Sequence, residues 1–172
     1  MSAQPLFNSL ETQTATNSPP LVLDVCCGTR SMWFQRTDGR ALYLDSRCEE
    51  VVLVGRGQKT RWIAPDLRAD FTRLPFPDDS FALVVFDPPH VCRTAARGNL
   101  TKLYGYLSGD WREMLRAGFS ECFRVLKPEG TLIFKWAETQ IPLREILALT
   151  PEKPLFGHQS RAKTHWIAFM KR

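Results

Sequence analysis

The sequence predicts an α/β fold, a parallel β-sheet covered by helices, and two observations support it. Short runs rich in β-branched and aromatic residues alternate with stretches of helical periodicity, the pattern of strand–helix–strand units. The 172 residues contain no internal repeat and are enough to form one hydrophobic core. We therefore expect a single folded domain over residues 21–172, preceded by a flexible, polar lead-in over residues 1–20.

Four strands are predicted in the first half of the chain, each an apolar run that stops at turn-forming residues. They lie at residues 21–25, 41–45, 62–64 and 81–86. Between the first two strands the sequence predicts a short helix at residues 31–36 and a turn at residues 37–40. In a parallel sheet the carboxyl ends of such strands meet at one edge.

The clearest element is a long helix that begins after Asp110. Asp110 is a suitable N-cap, and Glu113 three residues later completes the capping-box pattern. Apolar and small residues then recur at helical spacing on one face, namely Met114, Leu115, Gly118, Phe119, Cys122 and Phe123. A face of this kind indicates a helix that packs against the sheet.

The last third of the chain predicts a return to the sheet. Leu-Lys-Pro-Glu-Gly at residues 126–130 predicts a turn, followed by a fifth strand at residues 131–136 and a helix at residues 141–149. The end of the chain then predicts a closing pair of strands. They lie at residues 155–157 and 165–170, around a basic turn at residues 159–163.

The composition is that of a soluble globular protein, with 44% hydrophobic and 24% charged residues. No apolar run approaches the roughly 20 residues that cross a bilayer, and residues 1–20 lack the pattern of a signal peptide. We therefore expect a cytoplasmic protein without a membrane partner. The net charge of +5 suits a nucleic-acid partner without requiring one.

The five cysteines do not indicate a metal site or a disulfide framework. No two of Cys26, Cys27, Cys48, Cys92 and Cys122 have CxxC spacing, and adjacent cysteines make a poor disulfide. We interpret them as small, mostly buried thiols in a reducing compartment and predict no bound metal.

Two acidic residues lie at predicted strand ends. The first strand ends at Asp24 and leads into a loop of small residues, Cys26, Cys27 and Gly28, and such loops let the backbone approach a ligand closely. The second strand ends at Asp45, where a carboxylate can accept hydrogen bonds from both hydroxyls of a ribose. Either acid, taken alone, is equally compatible with an ordinary strand end.

Asp70 and Phe71 lie before the loop that leads into the fourth strand. Asp70 can accept a hydrogen bond from an adenine amino group, while Phe71 offers an apolar face to the ring. A lone aspartate in a polar loop is usually just solvated, so this interpretation depends on the neighbouring motifs.

Together these segments resemble the class I S-adenosylmethionine-dependent methyltransferases over residues 21–171. VLDVCCGT resembles the family's cofactor loop, commonly VLDLGCGTG, and ALYLD its ribose-binding strand. DFTRLPFPDDSFALVVFD resembles the adenine-binding segment with the fourth strand, and RVLKPEGTLIFKW the approach to the fifth. The resemblance implies a Rossmann-like, doubly wound sheet of seven strands, mostly parallel with an antiparallel last strand. It also implies that S-adenosylmethionine is the cofactor, bound by Asp24, Cys26, Cys27, Gly28, Asp45, Asp70, Phe71 and Asp87.

The cofactor loop departs from the family pattern at two positions. The family usually has three glycines, whereas here Cys26 takes the first position, Gly28 the second and Arg30 the third. Cysteine is tolerated if its φ stays negative, and Arg30, which would begin a helix, can point away from the cofactor. Degraded loops also occur in inactive relatives, which leaves a cofactor-binding protein without turnover as an alternative.

Asp87-Pro88-Pro89-His90, after the fourth strand, resembles the (D/N)PP(Y/F/W) signature of methyltransferases that act on planar amino groups. The lone pair of such an amine is delocalised. Asp87 accepting one N–H and the Pro88 carbonyl the other would free that pair for attack on the methyl group. Prolines fix φ and donate no hydrogen bond, so Pro88 and Pro89 keep the loop rigid. In a doubly wound sheet, Gly28 and Asp87 would face each other across the crevice where strand order reverses.

His90 stands where the signature has an aromatic residue. An imidazole can stack on a flipped base, hydrogen-bond the substrate or move a proton; alternatively it fixes the loop through a backbone bond. We favour stacking or substrate contact.

The long segment from Cys92 to Trp111 is basic and aromatic, which suggests a substrate lid. Its candidate substrate-binding residues are Arg93, Arg97, Lys102 and Tyr104. A solvated loop whose aromatic side chains pack back on the body is the alternative. At the end of the fifth strand, Trp136 is either a wall of the substrate pocket or part of the core.

These features favour a methyltransferase acting on an exocyclic amino nitrogen of a nucleobase in DNA or RNA. The chain has no room for a target-recognition domain, so target selection would depend on the loop after His90, on structured RNA or on a protein partner. A planar protein side-chain amide, or a small molecule, is the alternative substrate.

Overall fold

A seven-stranded β-sheet forms the centre of the protein. The computed structural model describes residues 20–55, 57–92, 98–157 and 163–172. The strands are β1 (Val22–Asp24), β2 (Ala41–Asp45), β3 (Glu49–Leu53), β4 (Lys59–Ile63), β5 (Leu67–Arg68), β6 (Phe81–Phe86), β7 (Leu126–Ala137), β8 (Phe156–Gly157) and β9 (Thr164–Met170). The helices are α1 (Asn99–Tyr104), α2 (Trp111–Val125) and α3 (Leu143–Leu147). The predicted lead-in, apart from residue 20, and most of the predicted basic turn lie outside the described residues.

The strand order of the main sheet is β5-β2-β1-β6-β7-β9-β8. The pairs β5–β2, β2–β1, β1–β6 and β6–β7 are parallel, whereas β9 is antiparallel to both β7 and β8. This confirms the predicted fold class, a mostly parallel seven-stranded sheet with an antiparallel last strand. The strand order runs outward from β1 in both directions, so β1 and β6 flank the point where a ligand crevice is expected.

The predicted third strand, residues 62–64, overlaps the end of β4 at Trp62 and Ile63 but does not belong to the main sheet. Strand β4 pairs with β3 as a separate antiparallel hairpin, and the sheet position beside β2 is taken by β5. The hairpin buries only Val51 and Ile63. After it, Asp66 bonds Tyr43 through its backbone N–H to the Tyr43 carbonyl and through its side chain to the Tyr43 N–H, which starts the pairing with β2.

The predicted helix at residues 31–36 is absent, and the structure has turns there. Arg30 has φ of 54°, a left-handed conformation that does not start an α-helix. The Trp33 indole N–H donates to Asp24 at 2.7 Å, which folds this segment back onto the end of β1. The tertiary hydrogen bond therefore replaces the expected local structure.

The turn expected at residues 126–130 is instead a bulge inside β7. Phe81 pairs with Leu126 and Leu83 with Thr131, so the extra residues of β7 bulge out between the two pairs. Glu129 in this bulge has φ of 62°. The strand is correspondingly longer than predicted, while α3 is shorter than residues 141–149 and begins after Pro142.

Helix α2 confirms its prediction and covers one face of the sheet. Asp110 caps it by accepting hydrogen bonds from the backbone N–H groups of Arg112 and Glu113. The Glu113 side chain pairs with Arg116, and the capping box is therefore only half used. The helix buries Leu115, Gly118, Phe119, Cys122, Phe123 and Val125.

The aromatic centre of the core lies at the end of β6. The ring of Phe86 contacts Phe71 and Phe119, each with a centroid separation of 5.4 Å, and Phe134 at 5.7 Å. Burial of these large rings fixes the carboxyl end of β6, and the next residue is Asp87. In the described part of the chain, no helix is long and apolar enough to cross a membrane.

Candidate active site

A cavity of about 380 Å³ opens at the carboxyl ends of β1, β2 and β6. Six of the predicted cofactor-binding residues line it: Cys26, Gly28, Asp45, Asp70, Phe71 and Asp87. The carboxylates of the lining, Asp45, Glu49, Asp70 and Asp87, outnumber its cations, Arg47 and Lys102. The cavity is therefore net negative and suits a cationic ligand.

The loop after β1 accommodates both departures from a three-glycine pattern. Gly28 has the positive φ, 51°, and its N–H donates to Asp45 Oδ2 at 2.9 Å. Cys26 is not among the residues with positive φ, so its side chain costs no backbone strain. Arg30 does have positive φ, but its guanidinium leaves the loop, bonds Asp66 at 2.7 Å and lies 3.9 Å over the ring of Tyr43.

Asp24 supports the loop from below and does not line the cavity. Its side chain is fully buried and accepts hydrogen bonds from the Trp33 indole at 2.7 Å and the Cys26 N–H at 3.3 Å. Burial raises the pKa of Asp24 to about 7, the two hydrogen bonds oppose the rise, and the charges of Asp87 and Asp45 add to it.

The environment of the two thiols beside Asp24 disfavours their thiolate forms. Burial raises the pKa of Cys27 to about 12 and that of Cys26 well above its usual range. Cys27 is buried against Tyr43 in a small cluster, so its side chain turns away from the cavity. In the described residues, no group of His, Cys, Asp and Glu side chains could hold a metal ion.

We predict that Asp24 makes the protein less stable as pH rises. Its folded-state pKa of about 7 exceeds its ordinary value of 3.8, so the folded state holds the extra proton between these values. The contribution of Asp24 to the free energy of unfolding should be largest below about pH 4 and be lost as pH rises through 7, a change on the order of 4 kcal/mol. Urea unfolding measured from pH 4 to pH 8 tests this.

Asp24→Asn should remove most of that slope, because the amide does not ionise. Asp38→Asn is the control, since hydrogen bonds from Arg40 lower the pKa of Asp38 to about 2 and Asp38 does not titrate in this range. An equal slope in the wild type and Asp24→Asn would contradict the assignment.

Arg47 is a site residue that sequence reasoning missed. It pairs with Asp45 at 3.2 Å and donates to the carbonyl oxygens of Lys102 and Leu103 at 3.1 and 3.2 Å. Arg47 therefore ties the end of β2 to the last turn of α1. An arginine two residues after a strand carries no local signal of this role, because its partners are more than 50 residues further along the chain.

Helix α1 lies beside the cavity as part of the predicted lid. Asn99 exchanges two hydrogen bonds with the backbone of Val54, at 2.7 and 2.8 Å, and Lys102 donates to the Val52 carbonyl at 2.9 Å. Lys102 and Tyr104 both line the cavity, but the Lys102 ammonium is already bonded to the hairpin. The predicted substrate-binding residues Arg93 and Arg97 lie outside the described residues.

Asp70 and Phe71 line the cavity as a polar and an apolar group side by side. Asp70 Oδ1 accepts from the N–H and the hydroxyl of Thr72, which fixes the carboxylate at the start of the loop. Phe71 is 8% exposed and packs against Phe86. Among the described residues, no donor bonds the other carboxylate oxygen of Asp70.

Among the described residues, hydrogen bonds reach only one carboxylate oxygen of Asp87, which follows β6. Oδ2 accepts from Lys135 Nζ at 2.6 Å, and the Asp87 side chain is 6% exposed. Oδ1 is buried and lies 3.0 Å from His90 Nε2, but it has no hydrogen bond of acceptable geometry. A buried carboxylate oxygen without a hydrogen bond requires an explanation, and one explanation is that this oxygen accepts an N–H from a ligand.

The other residues of the Asp87-Pro88-Pro89-His90 segment take different positions. Pro88 is buried, whereas Pro89 lines the large cavity. His90 lines a second cavity of about 180 Å³ that shares Tyr104 and Gly105 with the first. Asp87 and its partner Lys135 thus lie between two cavities, with Lys135 lining the smaller one.

Trp136 belongs to the core, which corrects its selection as a substrate-binding residue. It is fully buried, and its indole N–H donates to the Ile141 carbonyl at 3.0 Å. Its ring meets His90 edge to face at 5.0 Å. Trp136 therefore supports His90 from behind and touches neither cavity.

Comparison with solved structures shows the same fold in proteins of very different sequence. The chain is similar to a protein from Pyrococcus horikoshii OT3, with a TM-score of 0.55 and 15% identity over 88% of this chain and 81% of that one. It is also similar to a TehB-like SAM-dependent methyltransferase from Corynebacterium glutamicum, with a TM-score of 0.53 and 10% identity over 90% and 83%. A SAM-dependent methyltransferase from Methanosarcina mazei is similar with a TM-score of 0.52 and 15% identity, over 87% of this chain and 91% of that one.

The protein therefore has the Rossmann-like α/β fold of these methyltransferases. No family profile and no curated protein sequence matches the chain. At 10–15% identity the likeness establishes the fold, and the function has to be argued from the site.

Proposed function

We propose that this protein is an S-adenosylmethionine-dependent methyltransferase that acts on an exocyclic amino nitrogen of a nucleobase in DNA or RNA. One observation carries the proposal: Asp87, whose buried Oδ1 lies 3.0 Å from His90 Nε2 without a hydrogen bond of acceptable geometry, lines the same cavity as Gly28 and Asp45. The carboxylate of Asp87 can therefore accept a substrate N–H beside a cavity whose residues suit a nucleoside.

The residues of the large cavity fit the methyl donor. Asp45 Oδ1 already accepts hydrogen bonds from the backbone N–H and the Nε of Arg47. Asp45 Oδ2 accepts from the Gly28 N–H at 2.9 Å and only at 3.5 Å from Arg47, so Oδ2 is the oxygen that would accept a ribose hydroxyl. Phe71 supplies an apolar face and Asp70 an acceptor for the adenine. The excess of carboxylates in the lining favours a molecule that carries a sulfonium and an ammonium.

The segment after β6 would activate the substrate amino group that accepts the methyl group. When bound, the donor supplies an electrophilic methyl group. Asp87 Oδ1 accepts one N–H of the amino group and the Pro88 carbonyl accepts the other, which localises the nitrogen lone pair for attack. Asp87 also balances the positive charge that develops on that nitrogen and takes the proton that it releases. Pro88 and Pro89 keep these acceptors fixed.

His90 contributes to the acceptor side. Its ring lines the smaller cavity, and Trp136 holds it edge to face. A ring fixed in this way can stack on a base or contact its edge. Basic and aromatic side chains of the lid, or a partner protein, would select the nucleic acid.

Incubation with methyl-labelled S-adenosylmethionine and separate pools of DNA, ribosomal RNA, transfer RNA and protein tests the proposal. We expect label in a nucleic-acid pool and, after digestion, on an amino nitrogen of one base. Label confined to protein would favour a side-chain amide as the substrate. Calorimetry with the donor separates the remaining cases: binding without transfer indicates a binding protein, and no binding refutes the proposed function.

A further inference from the structure

The smaller cavity has a chemical character of its own. Its polar end is Lys135 with His90 and Thr139, and its other walls include the apolar or flat side chains of Val91, Leu100 and Tyr104. With about 180 Å³ it offers room for one planar ring. The two shared residues, Tyr104 and Gly105, place it directly beside the larger cavity.

A hydrogen-bond acceptor and a donor lie next to each other where the two cavities adjoin, because Asp87 lines the larger cavity and Lys135 the smaller one. Asp87 Oδ1 is buried 3.0 Å from His90 Nε2 without a hydrogen bond of acceptable geometry. The Lys135 ammonium has three N–H groups, of which one goes to Asp87 Oδ2 at 2.6 Å. It also lies 5.5 Å from the centroid of the Trp166 ring, and no other described residue accepts a hydrogen bond from it. The pair therefore presents an acceptor without a well-aligned donor beside a cationic donor with N–H groups left.

We propose that the smaller cavity binds the base to be methylated and that Lys135 is its specificity-determining residue. This deepens the proposed function and rests on it. Asp87 takes an N–H of the amino group, and Lys135 donates to a ring nitrogen beside the carbon that carries the amino group. Cytosine and adenine present this donor–acceptor edge.

The same pair rejects bases with the reversed edge. Uracil presents a carbonyl oxygen where cytosine has the amino group and an N–H where cytosine has the ring nitrogen. A carbonyl facing Asp87 Oδ1 places an acceptor against an acceptor, and an N–H facing Lys135 places a donor against a donor, which is a basis for discrimination. A primary amide also carries a donor beside an acceptor, but the walls formed by Val91, Leu100 and Tyr104 favour a flat ring.

Nucleoside titrations test the assignment without requiring turnover. The full chain, ¹⁵N-labelled, is titrated with cytidine, 3-deazacytidine, adenosine, 1-deazaadenosine and uridine while S-adenosylhomocysteine fills the larger cavity. At least one amino nucleoside should shift the amides of Ala137 and Thr139 and bind about tenfold more tightly than its deaza analogue, which lacks the ring acceptor. Uridine should not shift these amides.

Variants assign the discrimination to Lys135. Lys135→Met should bind the nucleoside and its deaza analogue equally within about twofold, and Lys135→Arg, which keeps a cationic donor, should retain the preference. Lys171→Met is the matched control, because Lys171 forms a 2.7 Å pair with Asp79, outside both cavities, and it should behave as the wild type. The wild-type comparison stands even if Lys135→Met does not fold.

Two results would overturn the assignment: no shift at Ala137 and Thr139 with either amino nucleoside, or a tenfold preference that survives in Lys135→Met. If N-acetylglutamine amide shifts the Ala137 and Thr139 amides and no nucleoside does, the cavity binds a protein amide, and the assignment to a nucleobase is wrong. Calorimetry of S-adenosylhomocysteine is measured separately. Its failure to bind would count against the proposed function, while the nucleoside titrations would still decide the role of Lys135.

Discussion

Asp87→Ala is expected to lower the rate of methyl transfer by about 10²–10⁴-fold while leaving the affinity for S-adenosylmethionine within about twofold. The substitution removes the acceptor for the substrate N–H and the charge that stabilises the developing cation. It leaves Gly28, Asp45 and Phe71 in place around the donor. Transfer of labelled methyl groups to the substrate pool and calorimetry of the donor measure the two quantities separately.

Two further variants interpret that result. Asp87→Asn keeps an acceptor oxygen but loses the negative charge and the proton acceptor, so its activity should lie between that of the wild type and that of Asp87→Ala. Asp79→Ala breaks the other close Lys–Asp pair, which is half-exposed, and should leave transfer unchanged. Wild-type transfer by Asp87→Ala would show that the proposed mechanism is wrong. A large loss of donor affinity would mean that Asp87 belongs mainly to the donor site.

Sequence patterns predicted the parts of the fold that depend on local periodicity. Strands β2 and β6 match residues 41–45 and 81–86, because apolar runs bounded by turn residues leave few alternatives. Helix α2 begins at the residue after its predicted cap. The residues at the ends of these strands then line one cavity, since parallel strands point their carboxyl ends to the same edge.

The misplaced elements depend on contacts between neighbouring segments that hydrophobic periodicity does not specify. Residues 62–64 are short and apolar, and the pairing of β4 with β3 in a hairpin removes this segment from the main sheet. The helix expected at residues 31–36 is displaced by the hydrogen bond from Trp33 to Asp24, nine residues earlier. The period of apolar residues reveals neither contact, since each partner would be compatible with several others.

The pairing of Asp87 with Lys135 shows the same limit at the site. The two residues are 48 positions apart and meet because β6 and β7 are adjacent and parallel. The sequence places both at strand ends beside the pocket but does not reveal that they bond. Arg47 is similar, because its role depends on where α1 crosses the cavity.

Trp136, by contrast, could have been placed from the sequence. Within β7, Leu132, Phe134 and Trp136 alternate with less buried residues, as expected for side chains on one face of a strand. Lys135 therefore lies on the opposite face, toward the cavity. Its position was the stronger indication of a site residue, and the period of two assigns Trp136 to the core.

Trp136→Ala is accordingly expected to lower the free energy of unfolding by about 3–5 kcal/mol. The indole is fully buried, stacks on Phe134 with a centroid separation of 6.2 Å and bonds the Ile141 carbonyl. Its removal leaves a cavity and a carbonyl without its donor. Urea unfolding at constant pH, followed by circular dichroism, measures the change without relying on tryptophan fluorescence.

Two control variants distinguish the loss of buried packing at Trp136 from the general effect of removing a tryptophan. Trp136→Phe keeps most of the buried area and should cost about 1–2 kcal/mol, whereas Trp62→Ala, at a side chain with 63% of its area exposed, should stay within about 0.5 kcal/mol of the wild type. If Trp136→Ala were as stable as the wild type, the ring could not be part of the core. The edge-to-face contact with His90 would then be incidental, and His90 would have to be positioned by the preceding prolines, by the hydrogen bond from Thr139 to its carbonyl and by its contact with Asp87.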